Sequence, residues 1–449
     1  MKQCRLFLIA MALAVASCQS DVGEEVRVVE QPAECDVASI YAISEDEAIE
    51  NLNEFMAAFD GAETRANPRV VKRVESVKLD NVCATRSSED IDIDNLLYIV
   101  EFEDGQGSAV LGADRRVESV FALLDTSVIT AQDFEDAANG VNEDDLGVQL
   151  AGMIAKEAVS QAAIELPGIT LPEDELKYSD WLEVTMSYEY KVPQLDTCWD
   201  TLGGFNQYCL DRRGRPVEAS SLAVAVAQLL LYHAHDDHYI TVDGDTYEVC
   251  VLELIHNDLE LEDAVYDYAL EAVAAYIASV SSALDIDYSL NFYEENLSTV
   301  VNLLENMGYD NVDVVELINQ NVDDCFDTIV RDMLWIGNKP FVMQGEDTET
   351  SGIWNWVADG YLRRVVNRYW VHYWQSGEEI SRELKYVVTD RKVHVNFGQF
   401  GDFNGYYSFG IFDISEMREG EDYLPEYGDV QYELPENYSN NLKLVVYDL

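Results

Sequence analysis

The sequence predicts an α+β protein in two unequal parts, and three observations carry the prediction. One helical pattern followed by four strand-like stretches fills the N-terminal third; Pro167 and Pro172 then mark a boundary; beyond it come three apolar helices and, after Pro340, a run of strand patterns. At 449 residues, two domains are the default on a prior of about 100–200 residues each.

Ser44 and Glu47 fit a capping box, and Ala48, Leu52, Phe55, Met56 and Phe59 follow at helical spacing until Gly61. Residues 70–78, 96–103, 107–112 and 117–123 alternate like strands, with Glu103-Asp104-Gly105 turning 96–112 into a hairpin. Helical spacing returns over 131–137 and 146–165. In the second part, the Ala/Leu-rich segment 219–233 reads as a buried helix, 261–284 as a long amphipathic one, and 296–307 as a third ending on Gly308. Strands are expected at 353–358, 364–373, 383–388, 392–397 and 406–413.

Composition sets limits on function. Asp and Glu number 86 against 28 Lys and Arg, a formal charge of −58, while 48% of residues are hydrophobic and 11% aromatic. That is enough apolar material for packed cores, so wholesale disorder is excluded. A surface this acidic has no cationic excess with which to displace counterions from a polyanion, which argues against nucleic-acid partners.

The N-terminus carries an address. Lys2 and Arg5 precede an apolar run from Leu6 to Val15, half the length needed to span a bilayer, and small residues then lead into Cys18. Val15-Ala16-Ser17-Cys18 resembles the bacterial lipoprotein box, which implies cleavage before Cys18 and lipidation of its thiol. The expected location is the bacterial cell envelope, with a membrane contact made through the lipid, on the periplasmic or cell-surface face of the outer membrane. Six further cysteines, Cys35, Cys83, Cys198, Cys209, Cys250 and Cys325, have spacings that suit neither zinc nor a CxxC motif; Cys35 with Cys83 is a plausible pair in an oxidising compartment.

Two short motifs invite metal chemistry and fall short of it. His233-Ala234-His235-Asp236-Asp237-His238 matches the HxHxDH string of metallo-β-lactamases, yet the preceding run reads as helix, where that site needs a strand and a loop. Asp90-Ile91-Asp92-Ile93-Asp94-Asn95, with Glu101 at the twelfth position, has EF-hand-like spacing but lacks the glycine of the sharp turn. No metal and no cofactor are expected.

A longer constellation is more specific. Pro193-Gln194-Leu195-Asp196-Thr197-Cys198-Trp199, Phe205-Asn206, Tyr208-Cys209 and the run Ala219 to Gln228 ending in Tyr232-His233 resemble the streptopain family of papain-like cysteine peptidases. Leu284 to Tyr288, Met307-Gly308-Tyr309, Trp356-Val357-Ala358-Asp359-Gly360-Tyr361, His394-Val395-Asn396-Phe397-Gly398 and Asn404-Gly405-Tyr406-Tyr407 continue the likeness in order. Residues 36–126, above all Tyr98 to Phe102 and Ala113 to Val117, are similar to that family's propeptide. The resemblance implies a papain-like cysteine peptidase fold preceded by a smaller α+β propeptide-like domain. The expected plan is a signal peptide over 1–17, a tether over 18–35, the propeptide-like domain over 36–135, a helical connector over 136–188 and the peptidase-like domain over 189–449.

The family's chemistry needs a thiolate at a helix N-terminus, an imidazole beside it and a glutamine amide for the oxyanion. Carried over residue by residue, the nucleophile position is Ser221, the histidine position Trp354 and the oxyanion position Thr201, none of them the family residue. A serine without a base is a poor nucleophile, and an indole has no basic lone pair. Loss of nucleophile or base costs about 10⁶-fold in another hydrolase, and one oxyanion donor a further ~10²–10³. The expectation is a catalytically inactive pseudopeptidase that binds a peptide or protein in the former cleft, with Trp356, Asp359 and Gln399 lining it. A peptidase working through Ser221 or a relocated histidine such as His372 is the alternative, and inhibition of a family peptidase by the propeptide-like module is a second. Apart from any such activity, Ser221 is a natural N-cap or first-turn residue.

Overall fold

Apolar residues at helical spacing on Ala48, Leu52 and Phe55 need a surface to cover, and four short strands supply it. Helix α1 (Glu45–Asp60), its Glu47 amide bonded to Ser44 Oγ at 3.3 Å, packs these side chains with Val100, Phe102, Ala109, Leu111 and Val120 in a small core. The strands are β1 (Val71–Val77), β2 (Leu97–Phe102), β3 (Ser108–Gly112) and β4 (Val120–Leu124), close to the stretches expected. This computed structural model describes residues 41–60, 69–77, 79, 96–142, 145–162, 178–256, 261–289, 295–317, 322–346, 353–412 and 440–448. Cys18, the Cys35–Cys83 pairing, the tether and the EF-hand-like segment up to Asn95 lie outside the described residues.

Helices α2 (Ala131–Asn139) and α3 (Leu146–Ala162) follow. Thr130 caps α2 in a reciprocal box with Asp133, and Gly140 ends it in the left-handed conformation. The expected helical connector over 136–188 does not stay helical. Its last described part is the strand β5 (Ser179–Lys191), in which Leu182, Val184, Met186, Tyr188 and Tyr190 alternate with polar residues at the period of two that a strand requires.

The second part begins with α4 (Ser221–His233), whose residues Ser221 to Leu231 are all buried, as an apolar helix without a polar face must be. Each leucine so enclosed contributes roughly 1.5–3 kcal/mol of transfer free energy. A hairpin of β6 (Tyr239–Val242) and β7 (Asp245–Glu248), the short helix α5 (Val249–Leu252), and helices α6 (Asp263–Ala283) and α7 (Leu297–Asn306) stand on the helical side. After β8 (Asp310–Glu316), the short α8 (Val322–Cys325) and a π-helix over Phe326–Ile336 come β9 (Phe341–Glu346), β10 (Ile353–Tyr373), β11 (Glu379–Asn396), β12 (Gly405–Ser408) and β13 (Asn440–Asp448). The separately expected strands 353–358 and 364–373 are one continuous β10, and 383–388 and 392–397 fall on one β11.

All ladders of the main sheet are antiparallel, in the order β1-β2-β3-β4-β12-β11-β10-β9-β13-β8, with β5 paired to the far half of β10. The two parts expected as separate domains therefore share a sheet through β4 and β12, and Val37–Leu449 forms one unit. The α+β class is as expected: a large antiparallel sheet with helices packed on it, α1 against Val100, Phe102, Ala109 and Leu111, and α2, α3 and α4 in the core that holds Leu97, Ile99 and Val110 of the opposite face.

Candidate active site

Helix α4 starts on Ser220, which is extended and accepts the Ala223 amide on its Oγ at 3.2 Å. Ser221 is thus the first residue of the helix, buried at 6% exposure. Its Oγ donates to Glu295 Oε2 at 3.3 Å and accepts from the Asn355 backbone N and from Asn355 Nδ2, both at 3.1 Å. A hydroxyl has one proton and two lone pairs, so Ser221 is saturated. Asn355 is itself held, because its Oδ1 accepts from Gln344 Nε2 at 3.0 Å and its Nδ2 also reaches Glu295.

Trp354 precedes Asn355 on β10 and donates its indole Nε1 to the Phe397 carbonyl at 3.3 Å. Thr201 is buried, and its only hydroxyl proton is given to Glu218 Oε1 at 2.9 Å, leaving no side-chain donor for an oxyanion. Its carbonyl accepts the Ala219 amide at 2.8 Å, which places this residue against the approach to α4. The structure brings the nucleophile and oxyanion positions to one helix start, and it is Asn355, beside the histidine position, that touches Ser221.

The region where a cleft is expected is filled. Leu146, Gln149, Leu150 and Met153 of α3 face Trp354, Trp356 and Phe397 across a residual cavity of about 10 Å³, room for one water molecule at most. Trp356 is buried, 5.9 Å from the Phe397 ring. Gln399 is half-buried and bridges to Asp200. Asp359 does not line a cleft, contrary to expectation: it is fully buried, its Oδ2 accepting the Gln194 and Leu195 amides at 3.0 and 2.9 Å and its Oδ1 meeting His394 Nδ1 at 2.6 Å. The physical reason is register. Gly360 faces His394 across the ladder with no room for a side chain, since a Cβ there would lie 2.6 Å from that of His394, and this close approach buries the neighbouring carboxylate under the imidazole.

No described imidazole reaches Ser221. His394 lies between Asp359 and Asp125, whose Oδ2 is 3.0 Å from Nε2; burial opposes its charge, but the two carboxylates raise its pKa to about 10. His233, at the end of α4, meets Tyr447 Oη at 2.6 Å, and burial with nearby Lys339 lowers its pKa to about 4. His235 pairs with Glu253 at 2.6 Å, and His372 bonds Ser179. Among the described residues no group of three His, Cys, Asp or Glu could hold a metal. Among the described residues four cysteines are free; burial pushes the Cys198 thiol up to about 11 and the Cys325 thiol up to about 12, so both are held as thiols.

These positions can be set beside known proteins. Residues 199–407 match the Peptidase C10 family. The C10 segment thus contains Thr201, Ser221, Glu295, Trp354 and Gln399, and the streptopain resemblance holds over it. No curated protein matches the chain. Among solved structures, a prointerpain A fragment from Prevotella intermedia aligns at 12% identity and a TM-score of 0.43, over 83% of this chain and 98% of its own. Active interpain A from the same organism aligns at 15% identity and a TM-score of 0.34, over 57% and 94%.

Glu295, Asn355 and the seating of α3 were not legible in the sequence. Asn355 could have been suspected as the neighbour of the histidine position. Glu295 could not, for nothing local ties it to Ser221, 74 positions earlier in the chain.

Proposed function

We propose that this chain is a catalytically silent C10-family protein, carried on the cell envelope by a lipid on Cys18, whose scaffold serves binding and not proteolysis. One observation supports it above the others: the Ser221 hydroxyl spends its proton and both lone pairs on Glu295 and Asn355, with no imidazole among its partners. Hydroxyl attack on a carbonyl would require breaking that network and finding a base, and the Glu295 carboxylate is already occupied by the donors around it. A peptide or protein ligand would enter the former cleft only after α3 leaves Trp354 and Trp356, so the partner is one able to displace Leu150 and Met153. The reading of the N-terminal module as a free inhibitor is disfavoured by its place in the shared sheet.

The decisive measurement is incubation of the soluble chain 19–449 with casein, with the chain's own mass followed in parallel. Neither turnover nor self-cleavage is expected. Casein hydrolysis or self-processing that disappears in Ser221→Ala would overturn the proposal.

A further inference from the structure

A helix N-terminus attracts negative charge, and at α4 the charge comes from the chain itself. Glu295 stands immediately before Asn296, the N-cap of α7, whose Oδ1 accepts the Ser298 amide at 2.9 Å, and its carbonyl faces Gln344 Nε2 at 3.5 Å, so its backbone is fixed. Its Oε1 accepts from Ser220 Oγ at 2.6 Å, its Oε2 from Ser221 Oγ at 3.3 Å and from Asn355 Nδ2, and the Leu222 amide of the first helical turn also bonds the carboxylate. Among the described residues no Lys, Arg or His pairs with it. Burial raises its pKa, and the bonds from Ser220, Leu222, Ser221 and Asn355 offset part of that rise.

The consequence reaches beyond the three replaced positions. We propose that Glu295 is a resident anion that occupies the seat at the start of α4 and disables the nucleophile position independently of the residue at 221. The inference rests on the assignment of Ser221 as that position. A nucleophile there must become an anion, and it would do so about one hydrogen-bond length from a fixed carboxylate that already uses the helix dipole and the Leu222 amide. Like charges at that distance disfavour the second ionisation. The seat that would stabilise a thiolate therefore destabilises it, and silence rests on four positions: Thr201, Ser221, Glu295 and Trp354.

The test replaces Ser221→Cys in chain 19–449 and titrates the new thiol by thiolate absorbance at about 240 nm, as a difference from the parent protein, so that access to the buried atom is not required. The expected pKa lies above the ordinary thiol value of about 8.5. Adding Glu295→Gln, which keeps the side chain's size and removes its charge, should lower it by at least about one unit, a tenfold rise in thiolate at a given pH. Equal values within about 0.3 unit in the two proteins would overturn the proposal, as would a single variant titrating below about 7.5. If the double variant does not fold, Ser221→Cys with Glu295→Ala takes its place, and the same difference decides. No proteolysis is read here, so failure leaves the proposed silence standing, and casein turnover by the wild-type chain would sink that reading without altering the thiol difference.

Discussion

Two buried polar clusters hang on the same strand, β10, and they are built on opposite plans. Near its start, Asn355 joins Ser220, Ser221 and Glu295 around a carboxylate that has no cation and is held by hydroxyls and amides. Farther along, Arg364 pairs with Asp390 at 2.7 Å and Arg368 with Glu183 at 2.7 Å, while Lys392 on β11 pairs with Glu118 at 2.6 Å and His394 is clamped by Asp359 and Asp125. Asp125 and Glu118 come from the N-terminal module. The first cluster sits at the start of α4 and is neutral apart from its one anion; the second sits where two parts of the chain meet and is dense in paired charge. What differs is the cost of breaking them. A hydrogen-bonded carboxylate can lose one donor and keep three, whereas an enclosed ion pair that loses one partner leaves a bare charge in a medium that cannot solvate it.

Breaking the second cluster should therefore have the largest effect. Lys392 is fully buried against Glu118, and Lys392→Met should cost about 3–5 kcal/mol, read as a lower urea midpoint. Lys392→Met with Glu118→Leu should recover most of it, because the loss is mainly that of the orphaned carboxylate. The His394 clamp comes next, with a contribution of a few kcal/mol. Its folded pKa of about 10 lies above the ordinary histidine value near 6.5, so the folded state holds a proton that the unfolded chain releases earlier. The clamp's stabilisation is fully present below about pH 6.5 and is lost as pH rises through about 10; in His394→Asn the urea midpoint should fall less over that window than in the parent. The smallest effect belongs to the first cluster. Asn355→Ala should cost about 1–3 kcal/mol in the same assay, since Ser221 and Glu295 lose donors but keep each other. A larger loss from Asn355→Ala than from Lys392→Met would invert the comparison.

The helical framework was legible because its signals are local. The capping box at Ser44, the apolar run of α4 and the spacing of α6 and α7 each determine an element within a few residues of its observed ends. The two long strands were read in pieces because Arg363, Arg364 and Arg368 interrupt the apolar pattern of β10, and only the partners on Asp327, Asp390 and Glu183 explain why arginines are tolerated there. β5 has a plain alternation, but the prolines nearby suggest a connector, and its partner β10 lies far along the chain. At the site, motif order assigns roles to Ser221, Trp354 and Thr201, whereas it puts Asp359 in the cleft and the structure buries it, since whether a strand residue faces cleft or core depends on a register set by distant partners. Glu295 and α3 belong to the same class of long-range facts.

The continuity of β4 with β12 bears on why such a module persists at all. Cutting away β1 to β4 would bare the edge of β12 and uncover Lys392, whose counter-charge resides on the lost part. A naked edge beside unpaired buried charges invites strand addition between copies and aggregation. On this geometry the N-terminal segment does for the rest of the chain what a cover does for an exposed edge: it keeps β12 paired and Lys392 neutralised, and so keeps the chain in solution.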